Sequence, residues 1–264
     1  MNSLRAVFIY EWRRSLTAGR LAWWFVMAAF PVAITLLILY VQHQEEEIPV
    51  EARDSVWSIF FYIMIPCVCT AMSVLLTAGP AVASELEQRS WVYLATRPNG
   101  IFWLLIGKYL VAFTWGFTAA AVGATIAVSL SNAESRGQIL TAMLGLSFLS
   151  AVGYSSLFLL LGALMPRRAM VFCVSYTVIV EAIFGLIPAV INRVTFQFRL
   201  RSLLVNWVPL NESVKDDPAM SYVVGQGSPF MHCFWLLSLA VLFLVAAIVI
   251  AHRKEFTTAA EGDV

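Results

Sequence analysis

SVWSIFFYIMIPCVCTAMSVLLTAGPAVAS, residues 55–84, runs for 30 residues without a charged side chain. As a helix rising 1.5 Å per residue it measures about 45 Å, more than a hydrocarbon core of about 30 Å needs. The segment therefore spans a membrane and has to tilt, kink or project beyond it. Pro66 and the pair Gly79-Pro80 mark the expected kinks. A barrel strand would alternate over about 10 residues, and this block does not alternate.

Working outward, the same pattern repeats. Leu21 to Val41, Tyr109 to Ala133 and Gly137 to Pro166 are uncharged, Ala169 to Asn192 is interrupted only by Glu181, and Met231 to Ala251 is apolar. The expected architecture is all-α and polytopic, with six transmembrane helices at about residues 21–42, 56–83, 103–131, 139–165, 169–191 and 231–252. Between and around them lie an N-terminal segment (1–20), an inner loop (84–100), an outer loop (192–230) and a tail (253–264). Trp23, Trp24, Trp57, Trp103 and Trp235 fall near block ends, where amphipathic rings prefer the interface.

Composition agrees. Of 264 residues 60% are hydrophobic and 12% charged, about half the charge of a soluble domain. A net charge of +1 with no basic domain gives no footprint for nucleic acid. Cys67, Cys69, Cys173 and Cys233 lie in or beside apolar blocks, which does not fit a secreted disulfide framework.

Basic residues set the expected orientation, because Lys and Arg are retained in the cytoplasm. With the N-terminus inside, eleven of the 17 bases lie on the cytoplasmic side, and the other six (Arg53, Arg136, Arg193, Arg199, Arg201 and Lys215) lie outside. Both termini are thus expected in the cytoplasm. Ahead of the first span, Leu4, Val7, Phe8, Trp12 and Leu16 recur at helical spacing, the pattern of an interfacial helix. Arg13-Arg14 before an apolar run resembles a twin-arginine signal, but no small-residue cleavage site follows and five further spans do.

The inner loop carries the most specific pattern. Ser84 and Glu87 are spaced as a capping box, Pro98 and Asn99-Gly100 end the segment, and Glu85, Glu87, Gln88 and Arg89 are expected to face the cytoplasm. The run from Glu85 to Lys108, with Tyr93-Leu94, Arg97-Pro98 and Leu105-Ile106-Gly107-Lys108-Tyr109-Leu110, resembles permeases of ATP-binding cassette (ABC) transporters of the type-2 exporter class. Ser90-Trp91 stands where Gly-Thr is common in that class, and Gly100 where an Arg often follows the proline.

The resemblance implies a permease in a bacterial-type inner membrane, forming the substrate pathway with a second permease chain. A separate ATPase subunit would seat on Ser84, Glu85, Glu87, Gln88 and Arg89. It also implies short re-entrant helices in the outer loop, where Leu203 to Trp207 is a possible start. No phosphate-cradling loop occurs in this chain, so ATP is expected on the partner and no cofactor here. Lys108 reads as a snorkelling anchor.

Glu181, about midway along the fifth span, is costly in lipid by about 2.5–3.5 kcal/mol and has to face protein or a wet cavity. It is a pathway candidate or a protonated structural carboxyl hydrogen-bonded to a neighbouring helix. Cys67 and Cys69 diverge by about 200° on a helix, too far for one soft metal unless Pro66 unwinds the turn. His43, His232 and His252 have no zinc spacing. Gly116, Ala119, Ala120, Gly123, Gly145 and Gly153 provide faces for close helix approach. In the outer loop Val194, Phe196, Phe198 and Leu200 alternate with polar residues, as a strand would. Two other classes fit the sequence: a membrane-embedded enzyme using Glu181, and a channel or scaffold without a motor.

Overall fold

In lipid a backbone has to satisfy its own polar groups, and every regular element among the described residues is helical. The computed structural model describes residues 3–42, 50–88, 90–91, 96, 99–183, 185, 195–208, 210–211, 224–225 and 227–254. Helix α1 (Ser3–Ser15) turns at Leu16-Thr17 into α2 (Ala18–Gln42). The Thr17 hydroxyl accepts the Arg20 N–H at 3.4 Å there, a side-chain cap for the first turn of α2.

The stretch 55–84 forms most of a rod made of α3 (Val50–Tyr62), a π-helical segment (Ile63–Thr70), α4 (Ala71–Ala78) and α5 (Ala81–Glu87). Both expected irregularities are present. Pro66 sits inside the π-helical segment, where it removes one N–H from the ladder. The Pro66 carbonyl instead accepts the Ser150 hydroxyl at 2.7 Å. Gly79 and Pro80 form the turn between α4 and α5. After the loop come α6 (Gly100–Leu130) and α7 (Arg136–Leu164), and later α8 (Ala169–Tyr176), α9 (Phe196–Trp207) and α10 (Pro229–Arg253).

Among the described residues five helices are long and apolar enough to cross a membrane: Ala18–Gln42, Ala52–Glu87, Gly100–Leu130, Arg136–Leu164 and Pro229–Arg253. The chain is an all-α, multi-pass membrane protein. The expected crossing at 169–191 is not among these five. Its described part consists of α8 and a π-helical turn (Thr177–Ile183), and residues 184 and 186–191 lie outside the described residues.

Helix α7 is the central element, packed by α6, α10, α4 and α9. Small residues allow these approaches, as expected. A Cβ on Gly153 would stand 2.7 Å from the Phe196 ring, and one on Gly162 would stand 2.6 Å from the Gly79 carbonyl oxygen. Large buried side chains, among them Trp57, Phe61, Tyr154 and Phe158, fill the core along α7.

Polar contacts order the two ends of the bundle. At one end Trp57 Nε1 donates to Asn132 at 2.6 Å, and Asp54 accepts the backbone N–H groups of Glu134 and Ser135 at 2.8 and 3.1 Å. At the other end α1 covers the start of α6, and Lys254 Nζ donates to the Leu164 carbonyl at 2.5 Å. Helices α7 and α10 therefore finish at the same end of the bundle.

Three local expectations give way to the structure. The alternation around Phe196 to Leu200 is not a strand. Phe196, Gln197, Phe198 and Leu200 are all buried, odd and even alike, and Thr195 caps a helix by accepting the Phe198 N–H at 3.2 Å. That helix ends at Trp207, where a re-entrant helix was expected to be starting. The capping box at Ser84 is also absent. Helix α5 begins three residues earlier, after Pro80, and the Ser84 hydroxyl donates back to the Ala81 carbonyl at 3.0 Å. A turn at Gly79-Pro80 is a stronger helix start than a serine one turn later.

Candidate functional site

Glu11, Arg14, Glu85 and Lys108 meet at the α1 end of the bundle, from three elements distant in sequence. Glu85 Oε1 lies 2.6 Å from Arg14 Nη1 and 2.8 Å from Lys108 Nζ, and Lys108 Nζ reaches Glu11 Oε2 at 3.1 Å. Glu11 Oε1 also faces Arg14 at 3.8 Å, one helical turn away. Glu85 is 1% exposed, Glu11 6% and Lys108 9%. The two carboxylates and two cations balance, which is the condition for holding charges out of water. The Ser90 hydroxyl donates to Glu85 as well, so the chain leaving α5 is tied to the same group.

Aromatic contacts position α1 for this pairing. Trp12 stacks on Trp115 with centroids 5.5 Å apart, and Trp115 Nε1 donates to the Ser15 hydroxyl at 2.9 Å. Gly107 lets α6 approach closely, since a Cβ there would be 2.8 Å from Val7. Val7 and Trp12 of the expected lipid-facing stripe thus rest on α6, while Ile9, Tyr10 and Leu16 are exposed.

The loop residues fare differently from one another. Glu85 was expected to face the cytoplasm and instead anchors the ionic cluster, because a cation on α6 and another on α1 flank it. Lys108, read as a snorkelling anchor, is drawn inward by the same pair. Glu87 and Gln88 are exposed, and Gln88 accepts a hydrogen bond from Arg14. Ser84 is half-buried within α5. Arg89 lies outside the described residues. Sequence reading missed Glu11 and Arg14 as site residues, although a single acid within the basic N-terminal segment, one turn before Arg14, was a visible signal.

Comparison with protein-family models, with curated proteins and with solved structures found no match.

A second polar cluster lies deeper, around Glu181. Its Oε1 accepts the Tyr176 hydroxyl at 3.2 Å and the Phe196 N–H at 3.3 Å, and Oε2 accepts the Gln197 N–H at 3.0 Å. The carboxylate therefore caps α9 from outside, meeting both the free N–H groups and the positive end of the helix dipole. Gln197 extends the cluster. Its amide donates to the Tyr154 hydroxyl at 2.8 Å, while its carbonyl oxygen accepts Tyr62 at 2.6 Å and Cys67 at 3.0 Å.

Glu181 is thus the joint between two short elements. Cys173 of α8 touches the Phe158 carbonyl at 3.9 Å, and Glu181 meets α9 where Phe196 and Gln197 pack on Gly153 and Tyr154. The Trp207 carbonyl at the far end of α9 accepts a bond from Gln138 at 3.2 Å. Together α8 and α9 run antiparallel to α7 along most of its length. Both Glu181 oxygens are engaged by this cap. Cys67 bonds Gln197, and among the described residues no group of three His, Cys, Asp or Glu could hold a metal ion.

Proposed function

We propose that this chain is the permease subunit of an ABC transporter in a cell membrane of bacterial inner-membrane type. In this reading it crosses the membrane six times, with both termini in the cytoplasm. The fifth crossing is built from two pieces, α8 and α9, joined at Glu181. The chain pairs with a second permease to form the substrate pathway, and ATP hydrolysis takes place on a separate subunit.

The observation that carries the reading is the ionic cluster where α1, α5 and α6 meet. A motor outside the membrane can move helices only through a stiff contact. Here the long rod continues past its apolar part into α5, and Glu85 fastens that projection to α1 and α6. Glu87 and Gln88 remain exposed at its tip, where a soluble partner has access. The N-terminal helix packed on α6 and the long helical rod that ends in α5 support this reading.

The test is to purify the chain from its native membrane and ask whether a soluble ATPase with a phosphate-binding loop comes with it. Glu87→Arg combined with Arg89→Glu keeps net charge while reversing the loop's pattern. It should reduce ATPase association and substrate-stimulated hydrolysis while expression and insertion persist. Absence of any such ATPase, or normal association in the double variant, would overturn the proposal.

A further inference from the structure

Two cavities adjoin the ionic cluster, and they share Arg20 and Thr77. The larger, about 420 Å³, is the polar one, lined in part by Glu11, Arg14, Arg20, Gln88 and Lys108. The smaller, about 270 Å³, is mainly apolar, lined by Trp23, Trp24, Leu76 and Trp115. Between α1–α2 on one side and α4–α6 on the other a charged cavity thus abuts an aromatic, aliphatic one.

Three observations give that space an occupant. The first is charge. Glu11 and Glu85 are balanced by Arg14 and Lys108, and Arg20, attracted by Glu11 but in no ion pair among the described residues, leaves the corner with one excess positive charge. A half-buried arginine at the start of a membrane helix calls for an anion. The second is Ser73, which is 3% exposed, lines the apolar cavity and has a hydroxyl with no hydrogen-bond partner among the described residues. A buried hydroxyl left unsatisfied is costly, and because Ser73 and Arg20 line the same cavity an acceptor held there would relieve it. The third is access. Leu21, Trp23 and Phe25 on α2 are exposed apolar groups, so the space opens where hydrocarbon chains would lie.

We propose that the joined cavities hold one anionic phospholipid from the leaflet in which α1 lies. Its phosphate rests beside Arg20, and one acyl chain runs along Trp23, Trp24 and Leu76. The lipid completes the charge balance of the α1 corner and joins α2 to α4. The inference is independent of the transporter reading, because it needs only that α1 lie at a membrane face.

The full-length chain in neutral detergent would be given equal amounts of phosphatidylglycerol and phosphatidylcholine, with retained lipid counted by native mass spectrometry. One excess positive charge near a membrane surface corresponds to about fivefold retention of the anionic lipid. In the same mixtures, brominated chains on phosphatidylglycerol should quench tryptophan fluorescence more than brominated chains on phosphatidylcholine. Arg20→Gln should abolish the preference, and Arg20→Lys should retain most of it. Equal retention of the two lipids by the unaltered chain overturns the proposal without any variant, as does a preference that survives Arg20→Gln. Inorganic phosphate stabilising the chain as much as phosphatidylglycerol, with no quenching by brominated chains, would assign the site to free phosphate and overturn it too.

Discussion

Glu181 shows how much one side chain can settle. A carboxylate alone in an apolar run is ambiguous, but three donors, two of them backbone N–H groups, converge on this one. The sequence offered pathway residue or structural carboxyl, and the geometry accounts for the second role directly. Glu181→Gln keeps the shape but turns an amide NH₂ toward at least one backbone N–H, and Glu181→Leu leaves both without an acceptor. Each buried donor left unpaired costs about 1–3 kcal/mol. Thermal unfolding in detergent should therefore rank the unaltered chain above Glu181→Gln and Glu181→Leu lowest. Identical melting curves for all three would show that the cap does not hold α9.

At the level of elements, the α1–α5–α6 corner depends on balanced charge. Removing one partner of a buried pair costs about 3–5 kcal/mol, whereas replacing both with apolar groups of similar size is often neutral. Glu85→Ala should therefore release α1, seen as faster limited proteolysis at residues of α1. Combining Glu85→Leu with Lys108→Met should be milder than either change alone, because Glu11 and Arg14 still face each other at 3.8 Å. A double variant as labile as Glu85→Ala would mean that shape rather than charge holds the corner. Ser84 makes the complementary case. Its hydroxyl bonds back inside α5 and caps nothing, so Ser84→Ala should leave stability within about 0.5 kcal/mol of the unaltered chain. A loss of 1 kcal/mol or more in chemical denaturation would restore the capping role.

For the molecule as a whole, the question is which face is which. In the proposed orientation Glu46 and Lys215 fall on the side with fewer bases, Arg89 and Arg168 on the side with more. With the four native cysteines replaced, single cysteines at Glu46 and Lys215 should react with an impermeant maleimide on intact cells. Cysteines at Arg89 and Arg168 should react only after permeabilisation. The reverse pattern would invert the orientation, though not the fold. The shared end of α7 and α10 adds a constraint that charge counting lacks. Because α7 and α10 finish together, a cysteine at Arg253 should behave like one at Arg168.

Length and hydrophobicity belong to the chain locally, and so the long apolar helices were legible in the sequence. The kinks at Pro66 and Gly79-Pro80 and the close-packing role of Gly153 were legible too, because a missing N–H or a missing Cβ acts wherever it sits. The start of α5 and the helix at Phe196–Trp207 were misread because local patterns compete. A Pro80 turn outranked a Ser84 cap, and burial on all sides imitated the alternation of a strand. The partners of the charges were not legible at all. Glu85 meets Arg14 across 71 positions and Lys108 meets Glu11 across 97, and no spacing rule reaches so far. The sequence determined that these charges stand near a membrane, and the tertiary structure decided which neutralises which, because the cost of burying charge is relieved only by a partner brought there by folding.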